Sequence, residues 1–321
     1  MASVSSPDEI LQESGTAPRQ RLKADLALFS VALIWGIAFV VQRIAAAEIG
    51  PFLFNGLRFL IGAVVLLPFA RRGVASSNKL LGGMETRWKN LPWMLLAGAF
   101  LFSGATFQQF GLKYTTAGNA GFITGLYVVL IPLFMAFVWR QWPRPVIWIA
   151  ACMSVLGLFL LSTGGQMRLS SGDALVLVSS VFWALHVILI GKLVRRVGVV
   201  QLAIVQYLVC GLLSSLIGFT TEVHTLSILI QGWWMIVFTG VISVGLGYTL
   251  QAIGQRVAPP ADAAILLSME AVFAALFGWW ILGEYLTPLQ LVGCGIIFSG
   301  ILLAQSDSIT GRNHIQHSSG S

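Results

Sequence analysis

Ten apolar runs, each about 17 to 25 residues long, decide what this chain can become. They lie near residues 24–44, 51–70, 91–112, 117–139, 145–163, 172–191, 199–219, 232–254, 260–282 and 288–304. A bilayer core of roughly 30 Å takes about 20 residues of α-helix to cross, and within it every backbone N–H and C=O must find its partner inside the protein. Barrel strands meet that demand with weak alternating segments of about ten residues. These runs do not alternate, so the fold class expected is all-α integral membrane, with ten transmembrane helices. Composition points the same way: 10% of residues are charged, against roughly 25% in a soluble domain. The first run lacks an A-x-A-like cleavage site and is expected to stay.

The net charge of +7 is a topology signal rather than a nucleic-acid patch, because most basic residues flank the runs. With the N-terminus inside, fifteen Lys and Arg fall on cytoplasmic segments and two, Lys113 and Arg168, on the other side. Arg43 and Arg58 lie within runs. That bias predicts a multi-pass protein of the cell inner membrane with both termini cytoplasmic, which an even number of crossings satisfies. Residues 1–20 and 305–321 are polar and are expected to be cytoplasmic tails, the first disordered. Cys152, Cys210 and Cys294 sit in separate runs without ligand spacing, so packing is their expected role and no metal or cofactor is implied.

Sliding the chain by 143 positions sets residues 113–161 over 256–304 without a gap. Thr106 then meets Thr249, Gln108 meets Gln251, Gly111 meets Gly254, Asn119 meets Asp262, Tyr127 meets Glu270, and Gly157 meets Gly300. At an offset of 148, Asp25 meets Asp173, Trp35 meets Trp183, and Arg58 meets Gln206. Five runs per unit force the second copy to enter from the other face. The chain therefore reads as a 5+5 inverted-topology repeat, 24–163 and 172–304, an arrangement of secondary transporters that rock around a site between the halves.

The stretch AAILLSMEAVFAALFGWWILGEYLTPLQLVGCGIIFSGILL, with LIWGIAFVVQRI in the first run and GLRFLIGAVVLLP in the second, resembles EamA-type permeases of the drug/metabolite transporter superfamily. The resemblance covers residues 24–304. It implies a ten-helix inner-membrane permease, commonly an exporter of amino acids, other metabolites or toxic compounds, with a central cavity lined by both halves. That family usually carries Glu-Pro where this chain has Glu270-Ala271, so no break in the ninth helix is carried over.

Polar residues inside the runs are the candidates for a substrate pathway. An intramembrane carboxylate is costly and facing lipid is disfavoured. Glu270 is accordingly a proton-coupling or amine site, a structural hydrogen-bonding acid, or the ion-pair partner of Arg58. Arg58 itself binds a substrate carboxylate, pins its helix to backbone carbonyls, or snorkels. His186 lies three residues after Trp183 on one helical face and suits either proton relay or a core hydrogen bond. Trp35, Phe39 and Gln42 form a stripe on the first run, and with Tyr127, Tyr207 and Tyr248 they can line an aromatic cavity. Gln108 and Gln251 are a symmetric gate or pathway pair, or bridges between helices. Asn119 and Asp262 are read as helix N-caps. Ala117, Gly121 and Gly125, opposite Ala263 and Ala264, suggest that two related helices cross closely, a dimer seam being the alternative.

No H-E-x-x-H, G-x-S-x-G or Walker A pattern occurs, so no catalytic residues and no ATP-driven step are expected. The expectation is a non-enzymatic, secondary-active exporter of small metabolites such as amino acids, working by alternating access. Its partners are a small-molecule substrate and the lipid bilayer, with a homodimer possible and no nucleic acid. The alternatives are a drug or toxic-compound exporter and, from another class, an intramembrane enzyme or lipid-modifying protein.

Overall fold

The computed structural model describes the backbone of residues 7–80, 84–163, 170–223 and 225–318, and the side chains of residues 19–70, 88–161, 170–223 and 225–304. Arg71, Arg72, Lys79, Arg87, Arg168 and Arg312 of the charge bias lie outside the described side chains. Each apolar run is a helix. In chain order these are α1 (Pro7–Glu48), α2 (Pro51–Leu80), α3 (Met84–Leu112), α4 (Ala117–Phe137), α5 (Pro145–Thr163), α6 (Ser171–Leu193), α7 (Val199–Thr221), α8 (Leu226–Gly254), α9 (Pro260–Leu282) and α10 (Pro288–Ser318). Among the described residues eight are long and apolar enough to cross a membrane, and α5 and α10 carry shorter apolar parts, Pro145–Leu161 and Pro288–Ala304.

The ends of α1 and α10 extend into the segments expected to be tails, since α1 starts at Pro7 and α10 runs to Ser318. Adding residues to an existing helix needs no new nucleus, which explains the extension. Residues 1–6 and 319–321 lie outside the described part. α8 starts at Leu226, six residues before the expected 232. Gln231 had masked that turn, but it lies exposed with Nε2 donating to Ser227 Oγ at 3.4 Å, and Thr225 caps the N-terminus from Ile228 N at 3.3 Å.

The helices of the two halves interleave rather than forming two separate bundles. α2 packs on α7, α4 on α9 and α5 on α10, each with its own repeat counterpart, while α1 with α9 matches α6 with α4 and α2 with α8 matches α7 with α3. Close approach rests on small residues, because apolar side chains gain little by leaving lipid for one another. A Cβ on Gly157 of α5 would stand 2.6 Å from Gly293 O of α10, and one on Gly293 would stand 2.5 Å from Gly157 O. In α4, a Cβ on Gly121 would meet Ala274 Cβ of α9 at 2.9 Å. The small-residue face of α4 is thus occupied within the chain.

Helix termini are tied across the halves. Glu222, at the end of α7, accepts from Phe52 N at 3.0 Å and Leu53 N at 2.8 Å in the first turn of α2. Glu284, after α9, accepts from Ala117 N of α4 at 3.2 Å. Asp173 forms a capping box with Ser170 and accepts from Thr115 Oγ1 at 2.5 Å. The expected caps are corrected here. Thr116, not Asn119, caps α4, taking Asn119 N at 3.1 Å. Asp262 instead pairs with Arg21 of α1 and with Arg144, each at 3.1 Å, because it stands in the first turn of α9 where two guanidinium groups reach it.

Two helices break at related places. α4 is interrupted at Leu126 and α9 at Ser268, with ψ of −14° and −16° and tight bonds from Val129 N to Leu126 O at 3.1 Å and Ala271 N to Ser268 O at 3.2 Å. These are 3₁₀-like values. The unbroken ninth helix expected from Ala271 is therefore not what forms. The break in α9 needs no proline: Ser268 Oγ donates to Ile265 O at 2.7 Å, and the matching break at Leu126 forms without a hydroxyl on that residue. α8 departs differently, running as a π-helix over Thr239–Tyr248. Cys210 is buried as expected, whereas Cys152 is exposed on α5.

If the α5–α10 contact is as tight as these distances imply, Gly157→Ala should lower the free energy of unfolding in micelles by about 1–3 kcal/mol. Gly295→Ala, where a Cβ would meet nothing within 4 Å, should not lower it.

Candidate functional site

A narrow cavity lies between the halves, with about 30 Å³ of free interior in this conformation, room for roughly two waters. Its wall brings together nine of the eleven candidate residues: Trp35, Gln42, Arg58, Gln108, Tyr127, Trp183, Tyr248, Gln251 and Glu270. Phe39, Thr124, Val187 and Ser243 complete it. Six of the nine are three repeat-related pairs, Trp35 with Trp183, Gln108 with Gln251 and Tyr127 with Glu270. Gln108 and Gln251 stand about one turn from the ends of α3 and α8, at opposite faces of the bundle.

The centre is aromatic. Tyr248 has its ring 4.7 Å from Trp35 and 6.0 Å from Trp183, so the two related tryptophans flank one tyrosine. Phe59 and Tyr207 pack on the same ring at 6.0 and 6.2 Å. Glycines make room: Trp183 lies on Gly104 and Trp35 on Gly247, themselves related by the 143 offset. The π-helical turn of α8 leaves backbone carbonyls available to side chains from outside it. Trp35 Nε1 donates to Ser243 O at 3.2 Å and Tyr207 Oη to Val244 O at 3.0 Å. In α3 the position related to Ser243 is Phe100, within a regular α-helix, and the Trp183 indole N–H has no partner among the described residues.

At the breaks of α4 and α9, Tyr127 Oη donates to Glu270 Oε1 at 2.9 Å. Two related positions thus meet each other, and Glu270 is bonded to the tyrosine rather than to Arg58. Glu270 is 2% exposed, and so is Arg58. Arg58 Nη1 donates to Gln42 Oε1 at 2.7 Å, and its guanidinium carbon lies 5.2 Å and 5.0 Å from the ring centres of Phe54 and Phe59. The snorkelling and carbonyl-pinning readings do not fit a fully buried head held by a side-chain amide.

Gln108 Nε2 donates to Thr124 Oγ1 at 2.9 Å. Gln251, 1% exposed, has neither amide atom paired. The reason is local: α9 presents Leu267 where α4 presents Thr124. His186 and Tyr207 stand behind the wall. His186 Nε2 is 2.7 Å from Gln206 Oε1, a core hydrogen bond, and Tyr207 supports the π turn. Thr124 and Val187 gave no signal beyond ordinary helix residues, although Val187 follows Trp183 by one turn. Ser243 contributes through its carbonyl, which no side-chain pattern reveals. Among the described residues no group of three His, Cys, Asp or Glu could hold a metal ion.

The family model for EamA-like transporters matches residues 22–163 and again 170–305, one match per half. The chain belongs to the EamA-like transporter family. A relative from Archaeoglobus fulgidus, described as an uncharacterized transporter, is 34% identical over 298 residues, covering 92% of this chain and 89% of its own. The Escherichia coli K12 protein YedA, described as an uncharacterized inner membrane transporter, is 26% identical over 297 residues, 89% of this chain and 91% of its own. A crystal structure at 22% identity superposes with a TM-score of 0.69 over 88% of this chain and 98% of that one, which shows a shared fold. This EamA-like chain is therefore a multi-pass membrane transporter of two repeats.

Losing the donor to a buried carboxyl costs about 1–3 kcal/mol. In this transporter Tyr127→Phe should lower stability by that amount in thermal melts of the micellar protein. Glu270→Gln, whose amide oxygen still accepts from Tyr127, should cost less.

Proposed function

We propose that this EamA-like transporter is a secondary-active exporter of small metabolites such as amino acids, moving them by alternating access through the central cavity. The observation that carries the reading is the pairing of related residues on one wall: Trp35 with Trp183, Gln108 with Gln251, and Tyr127 with Glu270. A pathway on the pseudo-two-fold axis is what rocking of inverted halves requires, because closing one face then opens the other around a fixed site. Ion pairs of Asp262 with Arg21 and Arg144 join α1, α9 and the α4–α5 connection on the face that carries both termini. On the opposite face Asp173, the counterpart of Asp25, accepts a hydrogen bond from Thr115. In this reading the charged end is cytoplasmic, in line with the distribution of Lys and Arg, and is closed in this conformation.

Glu270 takes the role of the proton-responsive group. Its bond to Tyr127 joins the breaks of α4 and α9, so gain or loss of a proton there alters the link between the halves. In proteoliposomes loaded with a labelled amino acid mixture, efflux should depend on external pH, and Glu270→Gln should flatten that dependence. An unchanged rate and pH profile in the variant would remove Glu270 from the mechanism. Comparison of the medium from cells with and without the protein tests direction, with accumulation outside expected only when it is present.

A further inference from the structure

We infer that Arg58 is the receptor for a carboxylate on the transported solute, so that this site takes organic acids and zwitterions in preference to simple cations. The inference rests on the central cavity being the transport site. Arg58 is a buried cation whose Nη1 donates to a neutral amide, Gln42, and whose Nε has no partner among the described residues. Among the described residues no carboxylate lies within ion-pair distance of it, and the other charged group on the wall, Glu270, is held by Tyr127. An isolated buried charge is strongly unfavourable unless an anion meets it. Within this wall that anion has to arrive from solution.

The rest of the wall fits the same ligand. Trp183 Nε1 and Gln251 Nε2 are buried donors without acceptors, and flipping the Gln251 amide still leaves an NH₂ unpaired. With Arg58 Nε they make three unused donors. A carboxylate has lone pairs for several such groups, and beside Arg58 it also meets the opposite charge; the unpaired Gln251 Oε1 and the second oxygen of Glu270 are left for the ammonium group of a zwitterion. The planar guanidinium, sandwiched near Phe54 and Phe59, is oriented rather than free to swing, which favours a planar two-oxygen partner. The repeat position of Arg58 is Gln206, turned to His186 behind the wall, so the receptor exists in one half alone.

The test is binding and flux by the full-length protein, with the twenty amino acids and a set of simple mono- and dicarboxylic acids, each beside its carboxamide and, for amino acids, its decarboxylated amine. Binding is read by thermal stabilisation in micelles and flux in proteoliposomes. The acids should bind and move, with carboxamides weaker by about tenfold or more, the factor that one charge-assisted hydrogen bond carries. Arg58→Gln should erase the preference for acid over carboxamide, and Arg58→Lys should keep part of it. Should Arg58→Gln fail to fold, the wild-type preference and the lysine variant decide. Amines or carboxamides that bind and move as well as the acids would overturn the role of Arg58 while leaving transport standing. Retention of the preference in Arg58→Gln would do the same. No binding and no flux across the whole panel would sink both readings.

Discussion

Helices in a bilayer have no solvent to flee, so what holds this molecule together is how closely backbones can approach. The contacts between related helices depend on residues with little or no side chain. Gly157 and Gly293 bring α5 against α10, and Gly121 against Ala271 and Ala274 does the same for α4 and α9. At Gly56, a Cβ would come 2.7 Å from Ser215 N, setting α2 on α7. Because each of these joins one half to the other, neither half has a complete packing surface alone. The cavity is what remains at the centre where the axis helices α4 and α9 break and α1, α2, α3, α6 and α8 bring larger side chains.

Symmetry supplies the frame and departures from it supply the chemistry. Arg58 stands where the second half has Gln206, and Glu270 where the first has Tyr127. Each half thus contributes one charge that its counterpart lacks. The neutral members remain useful: Tyr127 holds the carboxyl, and Gln206 holds His186 behind the wall. Loss of Thr124's equivalent at Leu267 frees Gln251, and loss of a carbonyl opening at Phe100 frees the Trp183 indole. The unused hydrogen-bonding groups of the cavity are by-products of broken symmetry.

The fold was legible because apolar length and the 143-residue match are properties of sequence itself, and both survive without knowledge of contacts. The gathering of Trp35, Gln108, Arg58 and Glu270 onto one wall could be anticipated because polar residues in lipid have few other places to go. What escaped depended on backbone geometry. The break at Ser268 has the same geometry as the one at Leu126, so no single side-chain type in the sequence marks it. Asp262 looks like a cap from position alone, and only the arrival of Arg21 from α1 and Arg144 from the next connection makes it an ion-pair centre. His186 and Tyr207 share their helical neighbourhoods with true wall residues, and a rotation of a few tens of degrees separates lining from support.

The π-helical stretch of α8 gives the second half a backbone that the first lacks. Such a turn stores a surplus residue, and passing that surplus along a helix rotates the intervening segment by about 100° with a shift of about 1.5 Å. In α8 the surplus is latched by Trp35 from α1 and Tyr207 from α7, which grip neighbouring carbonyls like two pawls on one ratchet wheel. Tyr248, between the two tryptophans, stands at the end of that π segment. α3, wound as a plain α-helix, has no tooth to slip. The two halves share an outline but not a backbone, and the carbonyls that the π segment opens are offered by the second half alone.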